Sequence, residues 1–445
     1  ILEVAIVGAG VSGLGMGIQL LKAGETNFKI FDKGHDVGGT WRDNTYPGCG
    51  CDVKSSLYSY SFEPWAEWSN SYAKQGEIYK YLRHCATKYG VYPYIQFNTS
   101  ITGSVFDEQA GLWNITTADG KTIQARNVVT AVGPFSAPKV AEFKGAEKFK
   151  GKTVHTAAWD HSVELEGKRV GLIGTGATAV QVGPAIAGKV SRLTLFMGKA
   201  QWILPRSDRH YSAVERFVRT LPGIRHTIRL FVFAFYDIRF IAFRRYPGIS
   251  AISRLMKDHY RRRLKKHLDR YIKDDKLRQH MTPDYELGCR RVIPTNTYLP
   301  ALSRDNVDVD ISGIECITPQ GILTKDGKAI PLDLIVYATG YLAYSDMKRA
   351  LTFQVHGLEG RNLNSEWEKK AVSYKGITVS GYPNYFKVNG PNTGTGHSSQ
   401  ISYMEAATDY IVQAICAVKR DTSIKAIDAR RDLQDAYVAD MRRRM

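Results

Sequence analysis

The chain has 445 residues, 43% of them hydrophobic, and a net charge of +18 from 61 Lys and Arg against 43 Asp and Glu. That length exceeds what one ordinary core organises, so two or three domains are expected, and the composition excludes a low-complexity, collagenous or disordered polypeptide. Six scattered cysteines, with no CxxC pair and no His/Cys metal spacing, argue against a disulfide scaffold, a metal centre and a redox-active disulfide; they point to reduced thiols in a cytoplasmic compartment.

In chain order, residues 4–7 read as a buried strand with no basic-then-apolar leader before it. The loop Gly8-Ala-Gly10-Val-Ser-Gly13 follows, then a Leu-, Ile- and Met-rich helical pattern over 12–23 and a second strand over 28–31. Asp32 ends that strand, nineteen residues after Gly13. Strand, tight glycine turn, helix, strand and acid together make a dinucleotide-binding unit. Gly8 makes the turn, Gly10 lets backbone N–H groups approach a pyrophosphate at the helix N-terminus, and Gly13 lets helix and strand pack closely. Asp32 can accept hydrogen bonds from a ribose diol.

The unit recurs. Residues 169–173 read as a strand, Gly174-Thr175-Gly176-Ala-Thr-Ala179 as the loop, 180–187 as a helix and 193–196 as the next strand. No acid closes this second unit. Gly198-Lys199 stands there instead, and Lys199 favours a cofactor bearing a 2′-phosphate by Coulomb attraction. Two dinucleotide sites on one chain imply electron traffic between two cofactors. Residues 130–134 and 333–341 read as apolar strands ending in glycine turns, at crossovers between the domains.

The stretch 206–280 holds 20 Lys and Arg against 7 Asp and Glu, with helical spacing. With no nucleic-acid recognition motif beside it, it reads as solvated helix faces near an anionic cofactor pocket. The longest apolar run, 230–243, carries Asp237 and Arg239 and falls short of the ~20 residues that span a bilayer. A strand over 385–388, the loop 389–397 and a long helix from about Ser398 close the chain.

Between the two glycine loops lies Phe149-Lys-Gly151-Lys-Thr-Val-His155-Thr-Ala-Ala-Trp159-Asp160. This FxGxxxHxxxWD string resembles the fingerprint of the Baeyer–Villiger monooxygenases, flavoenzymes that use oxygen to insert an atom beside a carbonyl. Three further strings agree. Gly39-Thr40-Trp41 with Tyr46-Pro47-Gly48 and Asp52 is similar to a second family pattern. Leu287-Gly288-Cys289-Arg290-Arg291 looks like the segment that supplies the family's active-site arginine, and 333–341 resembles the ATG signature of flavin monooxygenases generally. Flavin monooxygenases that oxidise nitrogen and sulfur have a similar linker without the Trp-Asp end, so Trp159-Asp160 favours carbonyl oxygenation.

The resemblance implies an α/β architecture of two Rossmann-like dinucleotide-binding domains with a helical insertion. Residues 1–140 and 341–445 would bind FAD, 141–202 and 290–340 would bind NADP, and 203–289 would form the insertion. It implies that NADPH reduces FAD, that oxygen forms a C4a-peroxide on the flavin, and that this attacks a ketone to give an ester or lactone. Arg291 is then the catalytic cation and Asp52 its orienting partner, both against the cofactors. The N-terminus of the helix after Gly396 suits the negative end of reduced flavin. Thr40, Trp41 and Tyr58 would line the flavin, the strand begun by Val105 would bind adenine through its backbone, and Arg290 with Lys199 would hold the 2′-phosphate. His155 would orient domains rather than move protons. Gly198 stands where many relatives carry Arg, so a weaker preference for NADP is expected. The other readings are an N- or S-oxygenating monooxygenase, or an uncoupled NADPH oxidase attached to an anionic surface through 206–280. The partners expected are a small ketone and O2, with no nucleic acid, no metal, no transmembrane span and at most peripheral contact with a membrane.

Overall fold

The computed structural model describes residues 1–243, 250–342, 352–421 and 423–444, for 242, 243 and 250 the backbone alone. Two separate sheets carry the two glycine loops. In the first, Leu2–Val7 lies between Phe28–Phe31 and Thr122–Thr130, parallel to both. Val4, Ala5 and Ile6 are wholly buried, as a central parallel strand covered on both faces requires. Ile101–Asp107 and Leu112–Thr117 extend the sheet antiparallel, and Tyr385–Lys387 joins it beside Thr122–Thr130. The last third of the chain thus completes the first unit. Its Gln400–Arg420 helix buries Ile411 and Ile415 in the core that also takes Leu14 and Ile18 of the Val11–Lys22 helix.

The second sheet is parallel throughout, in the order Val307–Asp310, Arg192–Phe196, Arg169–Ile173, Leu334–Tyr337, Lys152–His155. The two crossovers read from the sequence have matching roles. Gly8, at φ +105°, would place a Cβ 2.7 Å from the Ala131 carbonyl oxygen; Gly174, at φ +141°, would place one 2.4 Å from that of Ala338. Each glycine turn is closed by the apolar strand that ends beside it, and no other residue fits.

The basic segment leaves the second unit after Ile203–Leu204 and returns at Ile293–Pro294, two short strands that pair in parallel. Between them stand the helices Ala213–Thr220, Ile224–Arg239, Ser250–Tyr271 and Asp275–His280. No helix among the described residues is long and apolar enough to cross a membrane.

One core position is costly. Lys387 is only 4% exposed, with its ammonium 5.3 Å from the Trp367 ring and 3.3 Å from Thr130 Oγ1. Burial pushes its pKa from the ordinary 10.5 down to about 8. The unfolded chain therefore binds the extra proton between those values, and stability rises with pH across that window. Lys387→Met is expected to stabilise the protein at pH 7 by about 3 kcal/mol, a gap to the wild type that closes as the pH climbs past 8 toward 10.5. Urea unfolding of both proteins across that range measures it; a gap independent of pH would refute the account.

Candidate active site

Both glycine loops open into one cleft of about 1490 Å³, beyond the ~300–1,000 Å³ of a pocket for a single small ligand. The helices Val11–Lys22 and Ala177–Ile186 start there from the extended N-caps Gly10 and Gly176, neither with a side-chain cap. Their first N–H groups remain available to phosphate. A Cβ on Gly176 would meet nothing within 4 Å, and one on Gly10 would meet only Gly39, at 3.7 Å and beyond. The cradles fit two pyrophosphates, one per unit.

Gly8, Gly10, Asp32, Thr40, Trp41 and Tyr58 line the first half of this cleft; Gly174, Thr175, Gly176 and Arg290 line the second. Asp32 is held from three sides. Its Oδ2 accepts the Ala9 N–H at 2.7 Å, and its Oδ1 accepts the Gly34 N–H at 2.7 Å and Arg42 Nη1 at 3.0 Å. Sequence reasoning missed Arg42, although it stands inside the Thr40-Trp41-Arg42-Asp43 string. Its guanidinium is buried, donates to Asp43 at 2.6 Å and to the Asp36 carbonyl, and lies where a Cβ on Gly34 would be. Gln201, also on the cleft wall, carried no motif that would have revealed it.

Asp52 and Arg291 meet across 239 positions of sequence. Arg291 Nε donates to Asp52 Oδ2 at 2.5 Å and Nη2 to Oδ1 at 2.6 Å, a two-pronged pair, while Nη1 reaches the Thr395 carbonyl at 3.3 Å. Asp52 is 17% exposed and Arg291 41%, so the pair is anchored on the acid side and open to the cleft on the other. The charge of Asp52 raises the Arg291 pKa above its ordinary value, and the cation persists at any working pH. Trp41 Nε1 donates to Tyr58 Oη at 3.0 Å, and burial pushes that phenol well up, so it stays neutral. Thr395 and Gln400 continue the wall to the start of the Gln400–Arg420 helix, where Ser399 Oγ accepts the Ile401 N–H.

The Tyr46-Pro47-Gly48 turn ties the two units together. Tyr46 Oη donates to Gln181 Oε1 at 2.9 Å, Gln181 Nε2 donates to the Gly50 carbonyl at 2.9 Å, and a Cβ on Gly48 would lie 2.4 Å from the Gln181 carbonyl oxygen. The fingerprint string lies outside the cleft. Its Lys152–His155 strand edges the second sheet. His155 Nδ1 accepts the Ala157 N–H at 3.1 Å, which leaves Nε2 to donate to Thr339 Oγ1 at 3.2 Å; Thr339 Oγ1 donates in turn to the Lys139 carbonyl at 2.5 Å. Burial lowers the His155 pKa and keeps the ring neutral. Asp160 pairs with Lys152 at 2.7 Å and Trp159 packs on the second core. The string is a joint between units.

Four expected contacts are not on the cleft wall. Val105 lies in the middle of Ile101–Asp107, 47% exposed; the strand starts four residues earlier, and Thr99, Ser100 and Ile101 take the cleft position. Lys199 is exposed to solvent, and the Gly198 carbonyl before it accepts His280 Nε2 at 2.7 Å. Gly13 and Ala179 serve packing: a Cβ on Gly13 would lie 1.8 Å from the Gly8 carbonyl oxygen, and Ala179 is wholly buried in its helix.

Two nucleotide units facing one cleft, with an arginine–carboxylate pair between them, are the frame of a flavin-dependent monooxygenase. The flavin-binding monooxygenase-like family model matches residues 2–221. A Baeyer–Villiger monooxygenase of Pseudomonas aeruginosa is 38% identical over 444 residues, covering all of this chain and 82% of that protein. A steroid monooxygenase bound to NADP is 28% identical, with a TM-score of 0.86 over 99% of this chain and 90% of that one. OTEMO in complex with FAD and NADP is 26% identical, with a TM-score of 0.87 over 99% and 89%. The chain belongs to the Baeyer–Villiger monooxygenase family.

Proposed function

We propose that this FAD- and NADPH-dependent monooxygenase converts a ketone to an ester or lactone, consuming O2, NADPH and a proton and releasing NADP⁺ and water. The observation that carries the reading is the two-pronged Arg291–Asp52 pair facing the space shared by both glycine loops. Bound FAD supplies hydride acceptance and oxygen activation. Arg291 stands ready to steady negative charge that develops on oxygen, and Asp52 fixes its fork and limits its reach. Trp41 and Tyr58 wall that space with apolar rings and keep water from competing.

We assign FAD to residues 1–140 and 341–445, NADP to 141–202 and 290–340, and the helical insertion to 203–289; the run of each sheet supports this division. Six free cysteines support a reducing, cytoplasmic setting. Product analysis tests the reaction. Ester or lactone from a panel of cyclic and aryl ketones is expected; oxidation of sulfides and amines without any ester would replace the reading by an N- or S-oxygenating one.

With Lys199 outside the cleft and Gly198 lacking a side chain, the 2′-phosphate clamp falls to Arg290, whose guanidinium stacks 5.0 Å from the Tyr285 ring. Arg290→Gln is expected to raise KM for NADPH by ~10–100-fold, the worth of one charge-assisted contact, and to leave KM for NADH within ~2-fold. Equal losses with both cofactors would remove Arg290 from that role.

A further inference from the structure

We infer that the helical insertion docks on the surface of an anionic phospholipid bilayer. Among the described residues, eleven of eighteen exposed large hydrophobic side chains fall between Val214 and Leu255. Most of them sit on two helices that turn arginine inward and apolar side chains outward. Ile224–Arg239 turns Arg229 inward with Val232 and Tyr236: Arg229 Nη1 donates to the Leu57 and Ser59 carbonyls at 3.0 and 2.8 Å, and Tyr236 Oη accepts the Lys54 N–H at 3.3 Å. The opposite stripe faces out, with Leu230, Phe231 and Ile238 at 65%, 71% and 61% exposure. A helix packed on a core in water presents the reverse arrangement.

The helix before it repeats the inversion. In Ala213–Thr220, Arg219 turns inward, 3.9 Å from the Tyr211 ring and 3.0 Å from Ser56 Oγ, while Val214 and Phe217 are 70% and 67% exposed. Ser250–Tyr271 packs in the ordinary way, with Tyr260, Leu264 and Leu268 buried, but its first turns leave Ile252 and Leu255 exposed beside the inverted helices. Along that helix the stripe of Leu255 continues at helical spacing through His259, Arg262 and Lys266, so apolar surface passes directly into cationic surface.

Charge selects the occupant. A second copy of the same face would bring two strongly basic segments together, and a nucleic acid would leave the phenylalanines and leucines in water. A bilayer with anionic headgroups takes both features: apolar side chains enter the headgroup boundary while Arg and Lys meet phosphates. No membrane span is needed.

The test uses the FAD-loaded protein and sedimentation with vesicles. Vesicles of phosphatidylcholine with phosphatidylglycerol are expected to carry the protein down, and vesicles of phosphatidylcholine alone are not. Raising the salt to 1 M should lower binding by about tenfold or more. Phe217→Ser with Phe231→Ser should weaken binding to the anionic vesicles by at least ~10-fold, with flavin absorbance and NADPH consumption unchanged. Arg262→Glu with Lys266→Glu should do the same. Absence of binding to anionic vesicles overturns the proposal. So does a dimer that F231S dissociates, or salt-sensitive binding to duplex DNA without binding to vesicles.

Discussion

Arg291→Ala is expected to keep FAD bound and to go on consuming NADPH while ester formation falls by ~10²–10³-fold or more, the cost typical of removing one donor aimed at a developing oxyanion. The guanidinium has no polar contact with either glycine loop; its partners are Asp52 and the Thr395 carbonyl. Cofactor binding by the loops therefore has no reason to suffer, and reducing equivalents should leave as hydrogen peroxide instead. Arg291→Lys separates charge from shape. It keeps a cation but loses the fork that meets both oxygens of Asp52, so an intermediate rate is expected. Asp52→Ala should fall between the two, because the cation survives without its anchor. The measurements are ester by chromatography, peroxide release and flavin absorbance in the same samples. Ester yield undiminished in Arg291→Ala would end the proposed role.

The parts of this molecule that were legible in the sequence are those where backbone geometry restricts residue type. Gly8 and Gly174 are required by positive φ and by a carbonyl within 3 Å of any Cβ, and both announced their strand–loop–helix units. The strand Arg169–Ile173 lies where apolar periodicity placed it, and the Arg291–Asp52 pair formed between two strings quoted for the family resemblance. What stayed hidden was position within an element and the direction of side chains. The resemblance puts Val105 at the start of a strand that begins at Ile101, and it carries no information on where along the strand the chain meets the cleft. Lys199 has the right charge at the right sequence distance, but its position after Arg192–Phe196 leaves it in solvent. Arg42 carries no signal in the sequence, because a buried arginine depends on its carboxylates, and only the folded chain brings Asp32 to it. The helical spacing of the insertion is plain in the sequence, yet which stripe faces the core depends on Arg229 finding the Leu57 and Ser59 carbonyls, partners some 170 residues away.

Gly13→Ala is expected to yield protein without bound flavin and with a melting temperature lowered by a loss of more than ~4 kcal/mol, if folded chain is recovered at all. The added methyl carbon would lie 1.8 Å from the Gly8 carbonyl oxygen and 2.9 Å from its carbon, both backbone atoms. Neither can yield. Gly8 is fixed by its N–H bond to the Phe31 carbonyl at 2.8 Å, and its own α-carbon faces the Ala131 carbonyl so closely that a Cβ there would stand 2.7 Å away. The clash must then tilt the Val11–Lys22 helix, whose N-terminal N–H groups point at the flavin pyrophosphate in the proposed complex. Helix displacement also opens the core around Leu14 and Ile18, which are wholly buried. Gly76→Ala is the control: a Cβ there meets nothing within 4 Å, in the first turn of Gln75–Lys88, and a change of at most ~1 kcal/mol with full flavin content is expected. Flavin absorbance relative to protein, together with thermal melting of both variants, decides the matter. A yellow Gly13→Ala protein melting with the wild type would mean that the helix and strand do not need their close approach, and that the cofactor cradle is set by other contacts.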